Sequence, residues 1–270
     1  MTPNKQASLH TLHFETCGQI EKPQIILLHG IATNHSMWKK LATSLQDEYF
    51  VVSIDLLGHG KSPKPKDVTY TADLQVQSIY STLQQAGLLR ESVIVGFSIG
   101  ALIAARLTSR YPELATVNIL VAPPVYQPNK IKALARLDNA YFSLYNLVKR
   151  LPQPATLRFI QIVQQSFPAL IGNNEYNDQT WHPIMSTVAH TVQQQSFVSD
   201  LSSIPSAVQI NILHGSLDHL VIKSRLRKAI ASRPHTTLHK VFAPHALTRN
   251  YVNAIERALL TKSTRELAGV

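Results

Sequence analysis

Cysteine appears once in the 270 residues, at Cys17, which excludes an intramolecular disulfide and leaves no second thiol for a metal site or a redox pair. Packing is its expected role. No apolar run approaches the ~18 residues needed to cross a bilayer, and the opening "MTPNKQASLH" lacks the basic-then-apolar layout of a secretory signal. The expectation is a cytoplasmic protein without a membrane span. Acids are few, 16 against 26 lysines and arginines, giving a formal net charge of +10. Such an excess raises nucleic acid, anionic lipid and acidic proteins as partners. The cations are scattered, however, and no DNA- or RNA-binding motif is present, so nucleic acid is set aside. Neither H-x-H nor H-E-x-x-H occurs and the acids do not cluster, so no metal site is expected.

What is present is enough apolar sequence, 44% of residues, for a substantial core. "QIILLHG" (Gln24 to Gly30) and "YFVVSIDLLG" (Tyr49 to Gly58) are apolar, β-rich and closed by glycine, as buried parallel strands are. Between them Met37, Leu41 and Leu45 recur at helical spacing. Leu74, Ile79 and Leu83 mark a second helix that Gly87 closes, leading into the strand "SVIVGF". Ser98 to Tyr111 reads as a helix, and "ATVNILVAP" as a strand stopped by Pro123 and Pro124. This alternation predicts an α/β fold with a mostly parallel central sheet and helices on both faces. "SLHTLHFETCG" alternates enough for an antiparallel edge strand.

The rhythm breaks after Pro124. From 126 to 203 no good strand appears, and Leu134, Leu137, Tyr141, Leu144 and Val148 form a helical stripe. We read 126–203 as an all-helical insertion, cut into short helices by Pro152, Pro154, Pro168 and Pro183, between core segments 1–125 and 204–270. The alternation resumes with the strand "AVQINILHG", a helix from Ile222 to Ala231, the strand "TTLHKVFA" and a last helix from Leu247 to Leu260.

Only ten glycines serve the chain, yet two of them flank Ser98 in Gly96-Phe97-Ser98-Ile99-Gly100. G-x-S-x-G at a switch from strand to helix is a nucleophile elbow: the serine sits on a sharp turn where side chains two residues either way would meet neighbouring backbone. The helix that follows aims its N-terminal amides at the serine. A serine hydroxyl needs a histidine base and an acid to orient that base, in the chain order Ser, Asp, His. Asp218 follows the strand "VQINILHG", and His245 follows "TTLHKVF", so both lie at C-terminal strand ends, where open α/β sheets place their sites. No acid follows "NILVAPP", which leaves Asp218 as the acid. Among rival bases, His239 lies within a strand and His235 ahead of it. His29, His59 and His214 each precede a glycine at a strand end or turn, and buried, hydrogen-bonded structural roles are expected for them. His35 faces either substrate or solvent. Trp181, Phe142 and Tyr145 line a pocket or pack, packing being the commoner role.

With these motifs in order, the sequence resembles α/β-hydrolase-fold serine hydrolases that carry a helical cap, over nearly its whole length. The resemblance implies that "LLHG" (Leu27 to Gly30) leads into an oxyanion loop, with the backbone N–H groups of Ile31 and Ile99 as donors. "DLLGHGKS" (Asp55 to Ser62) resembles the family's D-x-x-G-H-G-x-S turn, and Trp38 an aromatic of the helix after the oxyanion loop. One position departs from the pattern: the family's histidine usually follows glycine, whereas Pro244 precedes His245 here. The implied activity is cleavage of a carboxylic ester or related acyl compound through an acyl-enzyme, with no cofactor. Hydrolysis of a C–C bond in a diketone-type substrate is the alternative on the same residues, and a ligand receptor without turnover is the alternative of another class. Ser98 stands where epoxide hydrolases and haloalkane dehalogenases of this fold carry aspartate, which argues against both. Between Tyr126 and Ile160, six cations (Lys130, Lys132, Arg136, Lys149, Arg150, Arg158) face one acid, Asp138. If they surround the entrance, the small-molecule substrate is anionic or is presented on an acidic carrier protein.

Overall fold

Seven strands form one sheet in the computed structural model, which describes residues 10–125, 147–166, 175–231, 233 and 236–267. The strands are β1 (Phe14–Cys17), β2 (Gln24–Leu28), β3 (Phe50–Ile54), β4 (Ser92–Phe97), β5 (Ala115–Val121), β6 (Gln209–Gly215) and β7 (Thr236–Val241). They lie in the order β1-β3-β2-β4-β5-β6-β7, all parallel except β1, which pairs antiparallel to β3 at the edge. Every residue of β2, β3 and β4 is buried, the pattern of strands covered on both faces.

The covering helices of the first half are α1 (Lys39–Leu45), α2 (Ala72–Gln85) and α3 (Ile99–Arg110). A 3₁₀ turn, His35–Trp38, precedes α1, and the Asn34 side chain caps it by accepting from the Ser36 N–H. Thr71 caps α2 in the same way through the Leu74 N–H, and Gly87 ends it at φ +67°. The expected strand from Tyr49 to Gly58 is shorter than its apolar run. Leu56 and Leu57 are fully buried, but in a turn after Asp55 rather than in the ladder.

Between β5 and β6 the described residues hold helices and no strand: α4 (Gln153–Ser166), α5 (Asp178–Thr187), a π turn (Val188–Val192) and α6 (Phe197–Ser203). Pro152 and Pro154 stand at the start of α4, where a missing N–H costs nothing. Pro183 does not cut the chain as expected, since α5 runs through it. Its ring is buried beside Gly58, where an added Cβ would stand 2.6 Å from Pro183 Cβ. That contact offsets the lost hydrogen bond. α6 lays Phe197 and Leu201 into the main core cluster. Arg106 of α3 ties this layer together, with a two-pronged pair to Asp73 of α2 at 2.8 and 2.9 Å and a 2.7 Å contact to Asp200 of α6. Helices α7 (Lys223–Ile230) and α8 (Arg249–Leu267) follow β6 and β7. The stripe residues Leu134, Leu137, Tyr141 and Leu144, with Pro168 and His235, lie outside the described residues, as do Phe142, Tyr145 and the cations at 130, 132 and 136. No helix among the described residues is long and apolar enough to cross a membrane.

Candidate active site

The chain leaves β2 toward β3 on one side and later returns to place β4 on the other, so the sheet switches direction between β2 and β4. Open α/β sheets carry a crevice at the C-terminal ends of such strands. Here the two segments that end there are the loop after Leu28 and the turn after Phe97, because Leu28 and Gly96 are in register.

Ser98 occupies that turn with φ 55° and ψ −117°, outside the regions open to ordinary residues. Holding a side-chain-bearing residue there costs about 1–3 kcal/mol. The two glycines make it geometrically possible. A Cβ on Gly96 would stand 2.2 Å from the Gly100 carbonyl oxygen, and one on Gly100 would stand 2.2 Å from that of Leu28. The Ser98 N–H is anchored by the Val121 carbonyl at 2.8 Å.

His245 Nε2 lies 2.9 Å from Ser98 Oγ, and its Nδ1 lies 2.7 Å from Asp218 Oδ2. A carboxylate only accepts, so Nδ1 carries the proton toward Asp218 and Nε2 keeps a lone pair for the serine hydroxyl. Asp218 is fixed in turn. Its other oxygen accepts from the N–H groups of Leu220 and Val221 at 2.9 and 3.2 Å, and its side chain is wholly buried. The Asp218 and His245 loops are sewn together: Ser216 N–H donates to Val241 O at 2.7 Å, and Leu217 N–H to Ala243 O at 3.1 Å. Neither Ala243 nor Pro244 has a positive φ, so this loop path does not need the family's glycine. His239 is in β7 and faces Asn211 Oδ1 at 3.2 Å, away from the serine.

Ile99 is the first residue of α3, so its N–H belongs to the turn that the helix itself leaves unsatisfied. Ile31 follows Gly30, where an added Cβ would lie 3.6 Å from Ser98 Cβ. Two buried imidazoles shape this loop. His29 Nε2 accepts from the Leu56 N–H at 2.9 Å, so its Nδ1 bears the proton and donates to Gly30 O at 2.7 Å. Burial pushes His29 down to about 4 and His59 down to about 3, so both are neutral near pH 7. The sign of the linkage follows. Below the unfolded value of about 6.5 the unfolded chain takes up protons that the folded chain refuses, so stability falls as the pH drops toward 4. His29 alone contributes roughly 3 kcal/mol to that loss. A urea midpoint that stays level from pH 7 to pH 4.5 would contradict this.

Asp55 is the hub of the neighbouring turn. Its carboxylate accepts from the backbone N–H groups of His35 at 2.6 Å and Lys61 at 2.8 Å. Burial works to raise its pKa, and these donors more than offset it, holding the carboxyl below the usual range. His35 thus faces neither substrate nor open solvent: Nδ1 is 2.9 Å from Asp55 Oδ1 and Nε2 is 3.1 Å from Glu15 Oε1. Sequence reasoning missed Glu175. This residue reaches back to both loops, its N–H donating to Ala32 O at 2.6 Å. Its carboxylate accepts from Asn34 Nδ2 at 2.6 Å and from the Gly60 N–H at 3.2 Å. Ala32, the residue it grips, sits at φ 55°.

A family model described as the alpha/beta hydrolase fold matches residues 23–246. The chain belongs to the α/β-hydrolase fold family. Among curated proteins, this α/β hydrolase is 25% identical over 250 residues to a probable lysophospholipase, BODYGUARD 4 of Arabidopsis thaliana, covering 82% of this chain and 60% of that protein. The chain therefore spans less than two thirds of that relative's length. It is 26% identical over 253 residues to a 2-(acetamidomethylene)succinate hydrolase of Mesorhizobium japonicum, covering 89% of this chain and 86% of the relative. An esterase from Exiguobacterium antarcticum superposes with a TM-score of 0.72 at 19% identity, covering 93% and 94% of the two chains. An enol-lactonase from Burkholderia xenovorans LB400 does so with 0.70 at 18%, covering 96% of each. At such identities the two structures speak for the fold alone.

Proposed function

We propose that this α/β hydrolase cleaves a carboxylic ester or related acyl compound through an acyl-enzyme on Ser98. The observation that carries the reading is the run of contacts from Ser98 Oγ to His245 Nε2 and from His245 Nδ1 to Asp218 Oδ2. In it Ser98 attacks the carbonyl carbon while His245 takes the hydroxyl proton, and His245 then returns that proton to the leaving group. Asp218 holds the imidazole in orientation, and the N–H groups of Ile31 and Ile99 stabilise the oxyanion. Water, activated by His245, releases the acid. Residues 126–203 serve as the cap that selects substrate.

A second reading concerns charge. The Mesorhizobium relative is named for a substrate that is an acidic acyl compound, and residues 126–160 of this chain carry six cations against one acid. Both favour an anionic acyl substrate. The test is labelling with a fluorophosphonate, followed by a panel of neutral and carboxylate-bearing esters, lactones, thioesters, amides and β-diketones. Stoichiometric labelling at Ser98 together with ester turnover is the expected result. Exclusive diketone turnover would assign C–C cleavage instead, and a folded protein that is neither labelled nor active would leave a ligand receptor. A kcat/KM that does not depend on salt or on substrate charge would remove the anionic reading.

Glu175 enters as a positioning residue. Glu175→Ala is expected to lower kcat roughly 10- to 100-fold with a smaller change in KM, because it removes the carboxylate that holds Asn34 of the loop that carries the Ile31 amide and leaves only the backbone bond to Ala32. Glu175→Gln keeps an acceptor for Asn34 and should retain most of the rate. Equal losses in the two variants would show that the charge, not the hydrogen bond, matters.

A further inference from the structure

On the flank of the Asp55 turn, β1 and the segment before α1 bring together donors that no linear motif joins. His13 and Glu15 are two residues apart across the start of β1 and so point to the same face of the sheet edge. His35 reaches that face from the segment before α1. Glu15 Oε1 lies 3.1 Å from His35 Nε2 and 3.7 Å from His13 Nε2. The two imidazole rings meet edge to face, with centroids 5.3 Å apart. One ligand atom from each of His13, His35 and Asp55 lies within 4.8 Å of the others.

Three features separate this group from an ordinary surface ion pair. First, His13 Nε2 is buried and has no hydrogen-bond partner among the described residues, a state that costs free energy unless something occupies it. Second, His35 Nδ1 faces the fully buried Asp55 carboxylate at 2.9 Å. A metal-binding histidine characteristically donates its remote N–H to a carboxylate in this way, which sets the tautomer and turns the other nitrogen outward as a ligand. Third, the two distances from Glu15 to the imidazole nitrogens suit a tetrahedral ion. Zinc bonds of about 2.0–2.2 Å give ligand-to-ligand edges of about 3.4 Å, and the distances from Glu15 Oε1 fall on either side of that value. Two imidazoles and one carboxylate are ligands that zinc takes, with the fourth position open to water on the exposed side.

From this geometry we infer that His13, His35 and Glu15 form a zinc site, with Asp55 as the carboxylate that orients His35. Lys61, whose Nζ lies 3.1 Å from Glu15 Oε1, is the resident competitor; its side chain is exposed and swings aside when the ion enters. Bound zinc fastens the antiparallel edge strand to the segment that leads from Ile31 into α1, so it acts on the stability of this corner rather than on the acyl chemistry. No step at Ser98 requires it.

The test uses the full chain stripped with a chelator and titrated calorimetrically with Zn²⁺, and separately with Co²⁺ under visible absorption. One equivalent of Zn²⁺, a rise in Tm on binding, and the intense d–d bands of tetrahedral Co²⁺ are expected. His13→Ala and Glu15→Gln alter partly exposed side chains on an edge strand, so both should fold with the Tm of the stripped parent. Each should bind at least about 10-fold more weakly and lose the cobalt bands. Failure of the parent to bind would overturn the site and leave Glu15 with only its contacts to His35 and Lys61. Binding of unchanged strength in both variants would overturn it equally, since the metal would then sit on other histidines. Neither result depends on whether Ser98 is a nucleophile.

Discussion

Ser98→Ala should lower kcat by about 10⁶-fold, equivalent to about 8 kcal/mol of transition-state stabilisation, on whichever substrate the panel identifies. The size follows from the relay acting as a unit: without the hydroxyl, His245 has nothing to deprotonate and Asp218 nothing to orient. The variant keeps the N–H groups of Ile31 and Ile99, so if these hold the oxyanion as proposed, catalysis of about 10³- to 10⁴-fold over water should persist. Asp218→Asn should cost less, about 10⁴-fold, because its amide can donate to Nδ1 and so move the imidazole proton to Nε2, which then has no lone pair to take the serine proton. Neither change should move the urea midpoint by much, as alanine accepts the turn no worse than serine does. The measurement is single-turnover kinetics beside equilibrium unfolding. Loss of less than ten-fold in Ser98→Ala would displace the serine from the reaction.

The second large effect is on folding. Gly100→Ala should destabilise the protein by at least about 4 kcal/mol or prevent soluble expression, because the new Cβ would stand 2.2 Å from Leu28 O and 2.6 Å from His29 O. Those atoms are main chain at the end of β2, paired to β3 and β4, and cannot step aside. Gly87→Ala is the control. It meets nothing within 4 Å and carries only the penalty of φ +67°, about 1 kcal/mol. If urea denaturation ranks the two variants alike, packing behind the elbow is not what fixes the glycine.

Much of this site is legible in sequence because each of its parts sits where a strand ends. Ser98, Asp218 and His245 follow β4, β6 and β7, and apolar runs closed by glycine or followed by a polar loop mark those ends without any structure. Gly100 could be read for the same reason, being tied to a motif of five consecutive residues. Strand length was harder. Leu56 and Leu57 look like strand because burial in a turn and burial in a ladder draw on the same residue types. Pro183 misled because its cost within a helix is local, whereas the contact with Gly58 that offsets it comes from a turn 125 residues earlier. Glu175 carried no signal at all. A single acid in a helical stretch resembles any solvated carboxylate, and its partner Asn34 lies 141 positions away. The same holds for His13 and His35, unremarkable in order and adjacent only once β1 has paired with β3.

Glu175 also carries a consequence for how such a protein can change. It joins the stretch between β5 and β6, where substrate preference would be written, to Ala32, the neighbour of the Ile31 amide. Remodelling that stretch for a new substrate would therefore disturb the rate machinery at the same moment. Drift in specificity and retention of turnover become one problem, and a lineage could solve it only by keeping the backbone bond from residue 175 to Ala32 and its carboxylate on Asn34, or by finding other anchors for this loop.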